Sequence, residues 1–530
     1  MALVRTGRIL VVDNDPHFRS SLEILLEAKG YKVFATGTQI EARHVAIKER
    51  IHVAVLDVRM ESDLDHDDMS GLNLARQLDP VIVKIMLTAY PSLTAMRRST
   101  FGDVPAVNFV FKDEGPKALL EALTKAFADN VGLNFDLVIR WQGVELKKIA
   151  GIIELERREA AAVIESEVEE VLCKLFKDAE EIIIAPLIAP PSTQSSISQS
   201  GAVIIKVTPR YPGGWAPPVV VKLASRQKIE VEARNYRDYV EHYIDGFRRT
   251  QLQGQTQSHL LGGLIYTLVG TPLEQCTDLT SFYQTHTAHD IIQTLRDIFM
   301  RTCRHWYENQ GARQRHDLMT LYGDSLKLSV ERLIQSLRTA ELENWAGEEN
   351  PTVPEIKRAI LNPVEWLRQQ ATLASDISLC YTHGDLHGRN VLVDQNNQAW
   401  LIDFYRSGEG HMFRDIIQLE SDVKFVLLEM ADLRKLYQFE AYLLNAKYFD
   451  DRPTLPSSFR EPELRKAFEV VQGIRYIAGK LIGVTSSMLD YYQGLYLQTL
   501  AIINLRHITP QKKRHAYLAA SLLCERLERW

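Results

Sequence analysis

Five short apolar runs rich in β-branched residues punctuate the first 128 residues: "RILVV" (8–12), "YKVFA" (31–35), "VAVLD" (53–57), "VIVKIML" (81–87) and "AVNFVF" (106–111). Helical patterns separate them. Strands that alternate with helices need right-handed crossovers and so build a parallel sheet. The first crossover reads residue by residue. Asp15 is placed to cap a helix, Pro16 suits its first position, Phe18, Leu22 and Leu25 make an apolar face, and Gly30 ends it. Five such units in about 120 residues predict a flavodoxin-like (βα)5 fold, which binds ligands at the carboxyl ends of its strands. Those ends carry chemistry. Asp13 and Asn14 follow the first strand, Asp57 ends the third, Thr88 ends the fourth and Lys112 follows the fifth. Carboxylates beside a lysine can hold Mg2+, and together they can neutralise a phosphoryl group arriving on a carboxylate.

The segments "VVDN", "VLDVRM", "LTA" and "FVFK", in this order, resemble a response-regulator receiver domain, assigned to residues 1–128. The resemblance implies that Asp57 is the phosphoacceptor and that Asp13 and Asp57 hold Mg2+. It further implies that Thr88 and Lys112 contact the phosphoryl group, that Phe109 is the switch aromatic, and that a histidine kinase or other phosphodonor is the partner. Two positions depart from the pattern: Asn14 replaces the usual second acid, which is expected to weaken Mg2+ binding, and Asp113 replaces the proline after the lysine. The acidic stretch "ESDLDHDD" (61–68) lacks the glycine and distal glutamate of a calcium loop and reads as a solvated loop.

Residues 129–180 read as a connector with a short strand and an amphipathic helix. Ile164, Val168, Val171 and Leu175 share one face, and Glu165, Glu167, Glu169 and Glu170 make an acidic surface. Two readings stand: a signalling helix or homodimer contact, or a helix packed on its own neighbour.

From 181 the runs "EEIIIAPLIAP", "GAVIIKV" and "PPVVVKL", bounded by Pro and Gly, predict an antiparallel meander. Lys222 ends the third run and Glu232 lies on the helical segment that follows. A strand lysine with a helix glutamate is the pairing that positions ATP phosphates in kinases. Farther on, "YTHGDLHGRNVLVD" precedes "AWLIDF", which sets Asp385, Asn390 and Asp403 at the spacing of a kinase catalytic loop and metal loop. Asp385 would orient an acceptor hydroxyl and take its proton. Asn390 and Asp403 would hold Mg2+ against the phosphates of ATP. The turn "QNNQ" should close the two strands into a hairpin.

"HGD" within "GDLHGRN", followed by "FRDIIQLESD", resembles the aminoglycoside phosphotransferase and choline kinase branch of the protein-kinase-like fold. The resemblance spans about 180–530 and is sharp at 383–415. It implies an α+β two-lobed domain, with an N-lobe at 181–270 and a helical C-lobe at 271–530 bearing the catalytic loop 383–390. It also makes His383, His387, Arg414 and Asp415 structural supports of that loop. The segment expected to cover the phosphates, "PPSTQSSISQSG" (190–201), holds one glycine, Gly201, so it should approach phosphates less closely than a glycine-rich loop.

Composition narrows the classes. Apolar content of 45% and charged content of 25% fit an ordinary globular protein of 530 residues. A net charge of −6 gives no electrostatic reason to expect nucleic acid or anionic membrane as a partner. The basic run "KKRH" (512–515) is too short to change that. The five cysteines form no CxxC pair, no signal-peptide core is present, and no apolar run approaches membrane-spanning length, which together point to the cytoplasm. Trp306, Trp345 and Trp366 read as core residues. The expectation is a two-component response regulator in which Asp57 phosphorylation controls an ATP-dependent phosphotransferase-like domain acting on an unidentified acceptor hydroxyl. Two alternatives stand beside it. One is a nucleotide-binding pseudokinase or partner-recruiting module in a signalling or conflict-defence assembly; the other is a Ser/Thr protein kinase.

Overall fold

Strands β1 (Arg8–Val12), β2 (Lys32–Thr36), β3 (Val53–Asp57), β4 (Val83–Thr88) and β5 (Ala106–Phe111) form a parallel sheet in the order β2-β1-β3-β4-β5. The computed structural model describes residues 6–61, 65, 68–89, 106–153, 155, 159–187, 201–244, 249–340, 342, 345, 347–370, 372–483, 486–505 and 508–530. Alternate residues of each receiver strand enter opposite cores. Ile9, Val11, Val53 and Val55 pack with Leu22, Leu26 and Leu119, whereas Leu10, Val12, Ala54 and Leu56 pack with Ala42, Ala46 and Leu72. Both faces of the sheet are therefore buried, as a parallel sheet requires. Asp15 caps helix Pro16–Glu27 by accepting the His17 and Phe18 amides at 2.8 and 3.2 Å, with Pro16 in the first turn. Leu22 and Leu26 carry the buried stripe of that helix, and Phe18 and Leu25 flank it half-buried.

The chain divides into two units, Met1–Glu230 with Gln253–Tyr266, and Val231–Leu252 with Thr267–Trp530. A second sheet is built from β6 (Val138–Trp141), β7 (Glu181–Pro186), β8 (Val203–Tyr211), β9 (Gly214–Trp215), β10 (Val219–Ser225), β11 (Thr250–Gln257) and β12 (Leu261–Leu268). Its order is β11-β12-β10-β8-β7-β6, with β9 paired to β8. β7, β8 and β10 make the expected antiparallel meander. β6, from the segment read as a connector, runs parallel to β7. Helix Ala161–Leu175 lies between them in sequence as a crossover, and its Val168, Val171 and Leu172 share one core with Ile182, Ile205 and Leu223.

Neighbouring glycines explain how this sheet is covered. A Cβ on Gly263 would fall 2.6 Å from Val171, and one on Gly262 would fall 2.9 Å from Ile229 of helix Arg226–Asn235. Adjacent strand residues face opposite ways, so the pair admits one helix on each face.

In the second unit, Val391–Asp394 and Ala399–Leu401 form an antiparallel hairpin, and Cys276–Asp278 adds a third strand. The Asp394 carboxylate accepts the Asn396 and Gln398 amides at 2.8 and 2.9 Å, and Asn397 supplies the left-handed residue of the turn. Helices Pro462–Ile482, Leu489–Asn504 and Pro510–Glu528 dominate the remainder. Trp306, Trp345 and Trp366 are buried. Among the described residues, no helix is long and apolar enough to cross a membrane.

Candidate functional sites

The first site forms at the carboxyl ends of the receiver strands. Asp13, after β1, and Asp57, at the end of β3, are both buried, as is Thr88 at the end of β4. Lys112, after β5, reaches both carboxylates, at 2.7 Å from Asp13 and 2.6 Å from Asp57. Its ammonium also lies 4.5 Å from the centre of the Phe18 ring. Two acids thus share one base. Burial pushes the Asp57 carboxyl up to about 6 against the pull of Lys112, with Asp13 adding to the rise. Burial alone would lower Lys112, but the two carboxylates outweigh it and hold the ammonium protonated. The surplus negative charge and the all-oxygen donors fit a hard divalent cation. Asn14 sits beside this pair half-buried. Phe109 is half-buried on β5, packs against the core that holds Ala42 and Leu72, and meets Phe111 edge-on at 5.6 Å.

Two further residues shape this site. A Cβ on Gly71 would fall 1.7 Å from the Asp57 carbonyl oxygen, so only glycine lets helix Ser70–Gln77 start against the end of β3. The "SG" that follows the acidic stretch was the available sequence signal. Within that stretch, Glu61, Asp65 and Asp68 are among the described residues. Asp68 corrects the reading of a wholly solvated loop: it is buried and accepts the Glu61 and Ser70 amides at 2.9 and 2.8 Å. An aspartate that ties two backbone amides together is a loop clasp.

The second site lies between residues 383 and 418. Asp415, buried in the first turn of helix Arg414–Asp422, accepts the His383 amide at 2.7 Å and the Gly384 amide at 2.9 Å. Tyr307 adds its hydroxyl at 2.9 Å. Gly384 has φ +77°, and a Cβ there would fall 2.2 Å from the Arg406 carbonyl oxygen. The second glycine of the motif, Gly388, gives its amide to Asp422 at 2.8 Å. The buried His383 ring faces the Ile402 carbonyl through Nε2 at 3.0 Å, which makes Nε2 the protonated nitrogen; burial pushes its pKa down.

Asp385 is held at both carboxylate oxygens. Gln418 Nε2 donates to one at 2.9 Å, and Arg406 stands 3.9 Å from the other. Burial alone would raise this carboxyl, but His387, Arg406 and Gln418 outweigh it and hold the group below the ordinary carboxylate range. An ionised carboxylate is the state a proton acceptor needs. The Asn390 Nδ2 donates to the Asp385 carbonyl at 2.8 Å, which leaves the amide oxygen of Asn390 as its ligand atom. Asp403 follows the hairpin with φ +70° and ψ +72°. A non-glycine residue in the left-handed region is uncommon, and such strain clusters at functional sites. The next amide, of Phe404, donates to the buried Glu232 at 3.3 Å. Oxygen donors from Asn390 and Asp403 on one hairpin fit a phosphate-bound Mg2+.

Lys222 does not end its strand. β10 runs on to Ser225 because it pairs along its length with β12, leaving Lys222 buried in mid-strand between Ile204 and Leu264. It belongs to the first unit, whereas Glu232 belongs to the second. Of the segment 190–201, only Gly201, with φ +68°, falls among the described residues. Gln418 and Arg406 carry no motif, and nothing in their spacing from Asp385 marks them as its neighbours.

Comparison with known proteins bears on both halves. The response regulator receiver domain model matches residues 9–124. Among solved structures, a response regulator receiver domain protein from Methanospirillum hungatei JF-1 is 28% identical, with a TM-score of 0.21, covering 24% of this chain and 96% of that one. A response regulator from Thermotoga maritima is 23% identical, with a TM-score of 0.21, covering 24% of this chain and 100% of that one. No curated protein matches. The ternary complex associated domain 9 model matches residues 198–355 and 337–508, which together span more than half of the sequence. The chain carries a response regulator receiver domain at its N-terminus and belongs to the ternary complex associated domain 9 family.

Proposed function

We propose that this protein is a two-component response regulator in which a phosphodonor such as a histidine kinase phosphorylates Asp57, and that the receiver governs a phosphotransferase-like site built on Asp385, Asn390 and Asp403. Asp13 and Asp57 would hold Mg2+ at the receiver. Lys112 and Thr88 would meet the incoming phosphoryl group. In the second unit, a protein-kinase-like fold would present Asp385 to an acceptor hydroxyl, while Asn390 and Asp403 would hold Mg2+ on ATP. One observation carries the second half: an ionised Asp385, clamped by Gln418 and Arg406, lies on a loop whose backbone amides are fixed by the buried Asp415. Proton removal from a bound hydroxyl calls for that arrangement.

A second reading rests on the family description. A domain associated with ternary complexes supports a nucleotide-binding module that recruits partners without transferring phosphate. Two measurements separate the possibilities. Intact mass after acetyl phosphate and Mg2+ treatment should show a phosphate adduct in the wild type and none in Asp57→Asn; an adduct that persists in the variant refutes the receiver assignment. With labelled ATP, Asp403→Ala should lose Mg2+-dependent binding, while Asp385→Asn should bind ATP and fail to label any acceptor in a metabolite and lysate screen. Equal loss of binding in both variants would show that the roles are wrong. Wild-type binding without any turnover would select the recruiting module.

A further inference from the structure

The receiver is gripped at the end of its sheet opposite Asp57. Arg8, at the start of β1, donates to Glu170 of helix Ala161–Leu175 at 2.8 Å, and His52, just before β3, stands 3.2 Å from the same carboxylate. Arg50 reaches Glu167 at 3.3 Å, and Lys174 completes the cluster at 2.8 Å from Glu170. Both glutamates, expected on a free acidic surface, are buried. Glu167 also accepts the Leu260 amide at 3.0 Å, and His259 donates to the Ile51 carbonyl at 2.8 Å, so the turn between β11 and β12 joins the dock.

The contact that matters most is made before β4. Both carboxylate oxygens of Asp79 accept from Arg226 Nη1, at 2.7 and 3.0 Å. Arg226 is the first residue of helix Arg226–Asn235, and its own amide is fixed to the Leu260 carbonyl at 2.9 Å. The Asp79 loop is tied in turn to β4, because the buried Lys84 donates to the Asp79 carbonyl at 2.7 Å. β4 ends in Thr88, at the phosphorylation site.

We propose that phosphorylation of Asp57 acts on the start of helix Arg226–Asn235, with the Asp79–Arg226 ion pair as the coupling contact. The proposal rests on the reading of Asp57 as phosphoacceptor. A shift of the β4 loop moves Asp79, and with it the residue that opens this helix. Coupling of this kind requires receiver states that hold Arg226 differently.

Hydrogen exchange on the full-length chain tests it. Acetyl phosphate with Mg2+ should change exchange in a peptide covering 226–235 of the wild type by roughly threefold to fivefold, the scale of a partly exposed ion pair. Asp79→Asn keeps the acceptor for the Val81 amide, bonded at 2.9 Å, but drops the charge. It should take up the same phosphate adduct by intact mass and lose the exchange response at that peptide. The charge-swapped pair Asp79→Arg with Arg226→Asp should restore it. An undiminished response in Asp79→Asn, or no response in a fully phosphorylated wild type, overturns the coupling. Absence of any adduct in the wild type overturns the receiver reading itself, and the coupling falls with it.

Discussion

The two candidate sites are held together by opposite means. In the receiver, Asp13, Asp57 and Lys112 come from three strand ends far apart in sequence and meet through ion pairs of 2.6 and 2.7 Å. In the second unit, the loop bearing Asp385 is fixed by neutral backbone amides given to Asp415 and Asp422 and by glycines pressed against neighbouring backbone. A site made of opposed charges leaves surplus charge for a ligand to satisfy. A site made of backbone contacts is formed before any ligand arrives.

The comparison is sharpest at Gly384. Gly384→Ala forces a side chain into the left-handed region and against the Arg406 carbonyl, and should cost about 3–5 kcal/mol in urea unfolding. The phosphate adduct at Asp57 should form as in the wild type. A Gly384→Ala protein of unchanged stability would remove the distinction between the sites.

A smaller effect is expected at the receiver dock. Burial pushes His52 down to about 4, against the opposing pull of Glu170, with Arg8 and Lys174 adding to the fall. The unfolded chain therefore binds this proton first. The stability contribution is complete above the ordinary histidine value and is lost as pH falls through about 4, which amounts to roughly 3 kcal/mol. In His52→Gln, unfolding should lose that share of its acid dependence. Identical pH profiles in the two proteins would mean that the dock does not rely on a neutral ring.

The smallest effect concerns the metal. Asn14→Asp adds a carboxylate beside Asp13 and should lower the Mg2+ concentration for half-maximal adduct formation by roughly threefold, with little change in stability. A raised requirement would place residue 14 away from the cation.

Legibility in the sequence followed the same divide. The receiver sheet was readable because each strand is a short apolar run with helical patterning between, and its ligand ends follow from topology. The loop at 383–403 was readable because its residues are close in sequence. What was not readable depends on partners brought in by tertiary packing. Glu167 and Glu170 look like solvated helix charges until Arg8, Arg50 and His52 arrive from the receiver. Lys222 looks like a strand end until β12 extends its ladder to Ser225. Gln418 carries no motif and is defined only by its hydrogen bond to Asp385.

The placement of β6 alters where this protein can be cut or recombined. A fragment beginning at 181 would discard β6 and the Ala161–Leu175 helix, uncovering Ile182, Ile205 and Leu223 and leaving Gly263 facing water where Val171 had been. A fragment ending at 128 would leave Arg8 and Arg50 without the glutamates that neutralise them, and His52 without its carboxylate neighbour. A viable exchange of receivers therefore has to carry over the charges at the amino ends of β1, β3 and β4. In this chain the portable piece is the receiver together with the surface that its connector helix was shaped to meet.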